Sequence, residues 1–455
     1  MSSTGRGGLF GGLFDRGAAG TDDAAWLQAM LDTEAALARA VERAGLAPAG
    51  AGAAVTAAAR AGGFDADELG RQAAATGNPV PALVLALTAA VPDSAAGAVH
   101  KGATSQDIID TAVMLMARRV LDGAGADLTA AADAAAALAA AHQDAIMIGR
   151  TLLQQAVPVT FGLVAAGWMS GIDDAIDGLD RIRGQRLAVQ FGGAAGTLAP
   201  LGDQGPAVRA LLAEELGLAC PVLPWHTERL RITELAAALA GACGVLGKIA
   251  RDVTLLAQSE VAEVREGTSG AGGSSAMPHK RNPVAAIVIL GCAKQAPGLL
   301  ASLAAAAEQE HQRAAGSWHA EWQPLADLLR LTGSAASWAA ELLAGLEVDA
   351  GRMRANLDAA GGLPLAESVV AVLAPALGRL PAHDLVAEAS ATATATCRGL
   401  AEVLGAPDLA ARIEAAGITK DQIGEALDPA AHLGSAAVFT GRALAAHRAR
   451  GTMTP

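Results

Sequence analysis

The densest chemistry in the chain lies between Gly267 and Pro283, read as GTSGAGGSSAMPHKRNP. Four glycines from Gly267 to Gly273 leave the backbone too free for a fixed helix or strand, so a mobile loop is expected. The hydroxyls of Ser274 and Ser275 follow, then Met277 and the adjacent basic side chains His279, Lys280 and Arg281. Asn282-Pro283 closes the segment where an apolar run, Val284 to Ala293, can begin a helix. Such a loop can fold over an anion and bring hydroxyl groups with it. Composition alone leaves a plainer alternative open, a Gly/Ser linker followed by a solvated basic patch.

A second group begins at His100, in HKGATSQDIIDTAVML. Thr104 or Ser105 can cap a helix whose first turn holds Asp107, with Ile109, Val113, Met116 and Val120 as its apolar stripe. In most proteins a cap of this kind is structural. A helix N-terminus after Gly102 is nevertheless a place where a carboxylate can meet exposed N–H groups. Two Trp-His-x-Glu strings, at Trp225 and Trp318, invite a metal reading. Helical ligands stand at i, i+3 or i+4, whereas here His and Glu are two apart, so no metal site is expected.

These groups need elements to hold them. At 455 residues the chain exceeds a single core, and breaks at residues 105 and 360 divide it into an N-terminal helical part (1–105), a central long-helix bundle carrying the loop (106–360) and a C-terminal helical part (361–455). Aromatic content of 3%, no tyrosine and abundant alanine favour helix packing over sheet, giving an all-α fold. The helix beginning near Thr21-Asp22-Asp23, with Trp26, Met30, Leu37 and Val41 on one face, reads as core rather than site. Long Ala/Leu stretches are expected as helices from 124 to about 142, 158 to about 186, 233 to about 264 and 284 to about 311, in a bundle covered by neighbouring subunits. Thr151 to Ile172 carries no formal charge and is long enough to cross a bilayer, but Gln154, Gln155 and Pro158 favour a helix buried on all sides.

A net charge of −13 argues against nucleic acid or an anionic membrane as partner, so any anion must be attracted locally. Four dispersed cysteines, Cys220, Cys243, Cys292 and Cys397, are expected as buried thiols. The N-terminus lacks the apolar run of a secretory signal, which makes the cytoplasm the expected compartment.

The string GSSAMPHKRNP resembles the signature loop of the fumarase/aspartase superfamily, and TSQD after His100 resembles its first signature region. Blocks such as GNPVPALV at Gly77, FGGAAGTLAPLG at Phe191 and SWHAEWQPL at Ser317 resemble the branch of bacterial 3-carboxy-cis,cis-muconate cycloisomerases. The resemblance implies a homotetramer with active sites shared between subunits, a small polycarboxylate substrate and no cofactor. It implies proton transfer at a carbon beside a carboxylate, with Ser274 as the proton-carrying group and Lys280 and Asn282 holding the aci-carboxylate. It further implies substrate contacts for His100, Thr104 and Ser105. A substrate with several carboxylates needs several cations, which makes His279, Arg150, Arg229, Arg281 and Arg313 candidates beside Lys280, with Gln154, Ser275 and Met277 as further contacts, although a single arginine is more often structural.

One departure carries weight. Where the superfamily's second region reads RTHxQ, this chain reads Arg150-Thr151-Leu152-Leu153-Gln154-Gln155. Leu152 cannot move a proton, and one acid–base group contributes roughly 10²–10⁴-fold. That counts against adenylosuccinate or argininosuccinate lyase chemistry, whose nitrogen leaving groups need protonation. A cycloisomerase closing a lactone with the substrate's own carboxylate needs no acid there. The competing expectations are adenylosuccinate lyase, whose loop text is nearly the same, and an inactive scaffold of the same fold.

Overall fold

The computed structural model describes residues 9–17, 20–267, 277 and 280–453. The chain forms two compact units, one from Met1–Ala130, Asp174–Ala250 and Ala285–Glu341, the other from Ala131–Asp173, Arg251–Val284 and Leu342–Pro455. Among the described residues the architecture is all-α, with two short antiparallel strand pairs, 146–151 with 154–160 and 264–266 with 346–348.

In the first unit the helix Asp23–Arg43 starts where Asp22 accepts a hydrogen bond from the Ala25 N–H. It buries Leu27, Leu31, Leu37 and Val41 and packs against Ala51–Ala58 and Gly205–Leu216. Burying such side chains contributes about 1.5–3 kcal/mol each, far more than the propensity of an alanine-rich helix. The 37-residue helix Ser105–Ala141 follows, with Ile109, Val113, Met116 and Val120 all buried as their spacing requires. Its residues 105–130 belong to the first unit.

In the second unit, Thr151–Ile172 is not one buried helix. Thr151 ends a strand, Leu152 and Leu153 turn the chain, Gln154–Thr160 returns antiparallel, and only from Phe161 does the helix Phe161–Gln185 run. The turn places both leucines at positive φ, 51° and 63°, a conformation that costs an L-residue roughly 1–2 kcal/mol. The helices expected to reach residues 264 and 311 stop at Leu256 and Ala305. Val264 lies instead in the strand Val264–Glu266, paired with Leu346–Val348. A separate core in this unit gathers Val369, Leu373, Leu385, Val386, Leu400 and Val403.

The cysteine expectation holds only for Cys243 and Cys292. Cys220 and Cys397 are exposed. Burial pushes the two inner thiols up, to about 11 for Cys243 and about 12 for Cys292, which keeps them protonated and inert at neutral pH. Among the described residues, Leu230–Leu256 and Val284–Ala305 are long and apolar enough to cross a membrane by length and composition. Half and one third of their most apolar windows are buried within the chain.

Candidate active site

In the first unit the start of the long helix is built around one carboxylate. Asp107, fully buried, accepts from the Thr104 N–H at 3.0 Å and the Gly193 N–H at 2.8 Å on one oxygen. Its other oxygen meets the Gly192 N–H at 3.0 Å, Gln190 Nε2 at 3.3 Å and His226 Nε2 at 2.7 Å. A carboxylate taken from water needs this many donors to recover its solvation. Residues 104, 190–193 and 226 are thereby set against one another by a single charge. A Cβ at Gly192 would come within 2.9 Å of Pro224 and His226, so only glycine lets this loop approach.

Arg313 joins the same cluster. Its guanidinium donates to Gln106 Oε1 at 2.9 Å, the Gly193 carbonyl at 2.7 Å and the Ala194 carbonyl at 3.2 Å. Partial burial draws its pKa down, against the raising charges of Asp107 and Asp110. Thr104 and Ser105 stand partly exposed at the helix start beside this frame. The structure thus brings Thr104, Ser105 and Arg313 together through Gln106, Asp107 and Gly193.

His100 lies just ahead, at φ 55°. Its Nδ1 is 2.6 Å from Glu34 Oε1, and its backbone N–H donates to Glu34 Oε2 at 2.9 Å. Burial works to lower the imidazole pKa, but the hydrogen bond and charge of Glu34, with the charge of Asp107, raise it overall. His100 is therefore held toward its cationic form.

Behind the cluster, Arg229 is enclosed by two carboxylates. It donates to Asp110 at 2.7 and 3.1 Å and to Glu321 at 3.0 and 2.5 Å, with 2% of its surface exposed. Burial pulls its pKa down, yet the Asp110 charge and Glu321 push it above the ordinary value. Burial likewise raises Glu321, against the lowering effect of Arg229. With its donors committed, Arg229 is a structural cation. A groove of about 640 Å³ beside it is walled by Trp26, Met30, Leu83, Ile109 and Trp322, and of the candidate substrate residues only Arg229 lines it. Asp23, Asp67, Asp110 and Glu321 also line it against Arg71 and Arg229, an acidic excess that disfavours a polycarboxylate.

The remaining predicted residues lie in the second unit or outside the description. Arg150 pairs with both oxygens of buried Glu263, at 2.8 and 2.7 Å, and Asn356 donates to the same carboxylate at 2.8 Å. Both terminal nitrogens of Arg150 are thus engaged, and the pair anchors the hairpin close to its turn, where Arg150 stands opposite Gln155. Gln154 is exposed beside the tip, where Leu152 is 97% exposed. Met277 and Lys280 are exposed, the Lys280 N–H donating to the Met277 carbonyl at 3.0 Å, and Asn282 is half-buried ahead of the helix Val284–Ala305. Ser274, Ser275 and His279 lie outside the described residues.

Sequence reasoning missed Glu34. A signal exists, because it interrupts the buried row Leu27, Leu31, Ala38 and Val41 with a charge. The metal reading of the Trp-His-x-Glu strings has a different outcome: His226 serves Asp107, His319 meets the Gly77 carbonyl, and Glu321 pairs with Arg229. Among the described residues no group of three or more His, Cys, Asp or Glu is placed to hold a metal.

The lyase family model matches residues 19–298, and the adenylosuccinate lyase C-terminus model matches residues 362–443. The chain is 47% identical over 430 residues to 3-carboxy-cis,cis-muconate cycloisomerase of Bradyrhizobium diazoefficiens, covering 94% of each. It is 46% identical over 443 residues to nitrosuccinate lyase of Streptomyces davaonensis, covering 94% of this chain and 91% of the relative. The crystal structure of 3-carboxy-cis,cis-muconate lactonizing enzyme from Pseudomonas putida superposes with a TM-score of 0.90 at 43% identity, covering 97% of this chain and 99% of that one.

Proposed function

The chain belongs to the fumarase/aspartase superfamily of lyases, and from that premise we propose that it is a cytoplasmic cycloisomerase of aromatic-acid breakdown, interconverting 3-carboxy-cis,cis-muconate and carboxymuconolactone. In the lactone-forming direction a carboxylate oxygen of the substrate attacks its conjugated double bond, forming the C–O bond. The displaced electron pair moves onto the neighbouring carboxylate as an aci-carboxylate. A proton delivered to the carbon beside that carboxylate completes the ring. Ser274 carries this proton, Lys280 and Asn282 stabilise the dianion, and His100, Thr104, Ser105, Ser275, His279 and Gln154 hold the carboxylates, with Met277 against the carbon skeleton and Arg313 acting through Gln106 and the Gly193 and Ala194 carbonyls that engage all three of its nitrogens. Arg150 contributes mainly through Glu263, since both its terminal nitrogens are engaged there. The acting form is a homotetramer, which would cover the apolar helices Leu230–Leu256 and Val284–Ala305 and complete each site from several chains. Of the three sequence-defined parts, 361–455 gains support from the family match over 362–443.

The observation that carries this reading is the hairpin tip. At the position of the superfamily's histidine, Leu152 offers no side chain able to protonate a departing nitrogen, and neither does Leu153 beside it. This favours a leaving group that is stable as an anion in the reverse reaction, as the lactone's carboxylate is. The 46% identity to a nitrosuccinate lyase supports a second reading on the same ground, because nitrite also departs as a stable anion. Adenylosuccinate, whose leaving group is an amine, fits the tip worst.

Offering all three substrates to the purified protein separates the readings. The expected result is loss of the muconate's ultraviolet absorbance with neither nitrite nor AMP released. Release of nitrite or AMP without muconate turnover would overturn it. Leu152→His gives a sharper check on the leaving-group logic. Histidine tolerates the left-handed backbone better than leucine, so the turn survives, and lactonisation is expected to stay within about threefold of wild type, whereas a group acting as acid would add roughly 10²-fold or more.

A further inference from the structure

Glu34 is a carboxylate at 0% exposure in the middle of a core helix, where an unpaired charge is costly. Among the described residues both hydrogen bonds it accepts come from one residue, the His100 backbone N–H on Oε2 and the ring on Oε1. That differs from the other buried carboxylate–histidine pair. Asp107 divides itself among five donors, and its partner His226 is 5% exposed. The His100 side chain keeps 20% of its surface open. Its Nε2 meets no hydrogen-bond partner among the described residues. The backbone at His100 is left-handed, and a two-point clamp on main chain and ring is what holds such a conformation in place.

We propose that Glu34 is a positioning residue for His100, fixing the ring's orientation and the proton on Nδ1 so that Nε2 is the nitrogen offered to a substrate carboxylate. This rests on the polycarboxylate reading above. The charged groups facing His100 are Glu34 from the helix Asp23–Arg43, Asp107 from the helix Ser105–Ala141, and the adjoining Lys101, whose Nζ is bound to the Leu46 carbonyl at 2.6 Å. Two carboxylates against one cation favour the imidazolium, which donates to an anion more strongly than neutral imidazole. A buried carboxylate with a purely packing role would have no reason to end on a ring that remains reachable.

Glu34→Gln keeps the size and removes the charge. Its amide oxygen can accept only one of the two N–H groups, and its NH₂ opposes the other. The expected result in the full-length protein is a rise in KM larger than the fall in kcat, with kcat/KM down about tenfold or more. The alkaline limb of the kcat/KM profile moves to lower pH. His100→Asn, which suits the left-handed backbone, gives a comparable loss, and adding Glu34→Gln to it costs nothing further. Near-normal kcat/KM with an unmoved alkaline limb, or losses that simply add, would overturn the proposal.

A measurement independent of turnover separates this claim from the reaction. In ¹⁵N-histidine-labelled protein, the His100 signal is identified by its loss in His100→Asn. Its titration midpoint is expected to fall in Glu34→Gln, and an unchanged midpoint sinks the role of Glu34 whatever the substrate is. If the wild type leaves carboxymuconate untouched while the midpoint falls, the reaction reading fails and the positioning role stands. A folded, cooperatively melting Glu34→Gln is the control for both arms. Should that variant not fold, the wild-type signal still decides: the clamp predicts a His100 midpoint above that of histidine in the unfolded chain, and a midpoint at the unfolded value overturns the proposal.

Discussion

Arg229→Met is expected to destabilise the protein by about 3–5 kcal/mol, the cost of leaving buried charges without their counterion. Methionine fills much of the space, so the loss is electrostatic rather than a cavity effect. Asp110 and Glu321 are both buried, and Arg229 supplies each with two hydrogen bonds. Trp318 Nε1 still donates to Asp110 and Gln309 Nε2 to Glu321, but neither carries a charge. Denaturant unfolding followed by circular dichroism reads the change. Combining Arg229→Met with Asp110→Asn and Glu321→Gln should recover most of it, because the penalty belongs to the stranded carboxylates. A triple variant no more stable than Arg229→Met would show that the arginine acts through packing instead.

Ser274→Ala is expected to lower kcat by roughly 10²–10⁴-fold while leaving the melting temperature and the oligomer unchanged. The hydroxyl is the group assigned to deliver the proton, and alanine removes it with little change in volume. A serine is a weak acid and base unless its alkoxide is stabilised, so Lys280→Met should produce a loss of similar size through the same step. Steady-state kinetics beside size-exclusion chromatography decides the matter. A Ser274→Ala enzyme with near-normal kcat would take the proton transfer away from this residue.

The sequence made the helices legible because their signals are local. Asp22 caps, the apolar spacing of Ile109, Val113, Met116 and Val120 shows one face, and Asn282-Pro283 marks the next start. The hairpin at 146–160 was hidden for an equally local reason. Its turn is Leu152-Leu153 where Asn-Gly or Asp-Gly would announce a two-residue loop, and its strand Gln154–Thr160 merges into the apolar start of a helix. Asp107 was visible as an acidic residue in the helix's first turn, but its five donors come from three stretches of chain, and no spacing in one stretch reveals them. Glu34 and His100 are separated by 66 residues, so their pairing is a tertiary fact. The exposed Cys220 and Cys397 were misjudged because isolated cysteines carry no local mark of depth.

The Asp107 hub bears on redesign. Three of its five bonds come from main-chain amides, at Thr104, Gly192 and Gly193, so the neighbouring side chains are not what keeps those strings of residues in register. A library that holds Asp107, Gly192 and Gly193 constant keeps this frame while other side chains are varied to retune which acids are accepted. One that varies Asp107 would be sampling misfolded protein rather than altered selectivity.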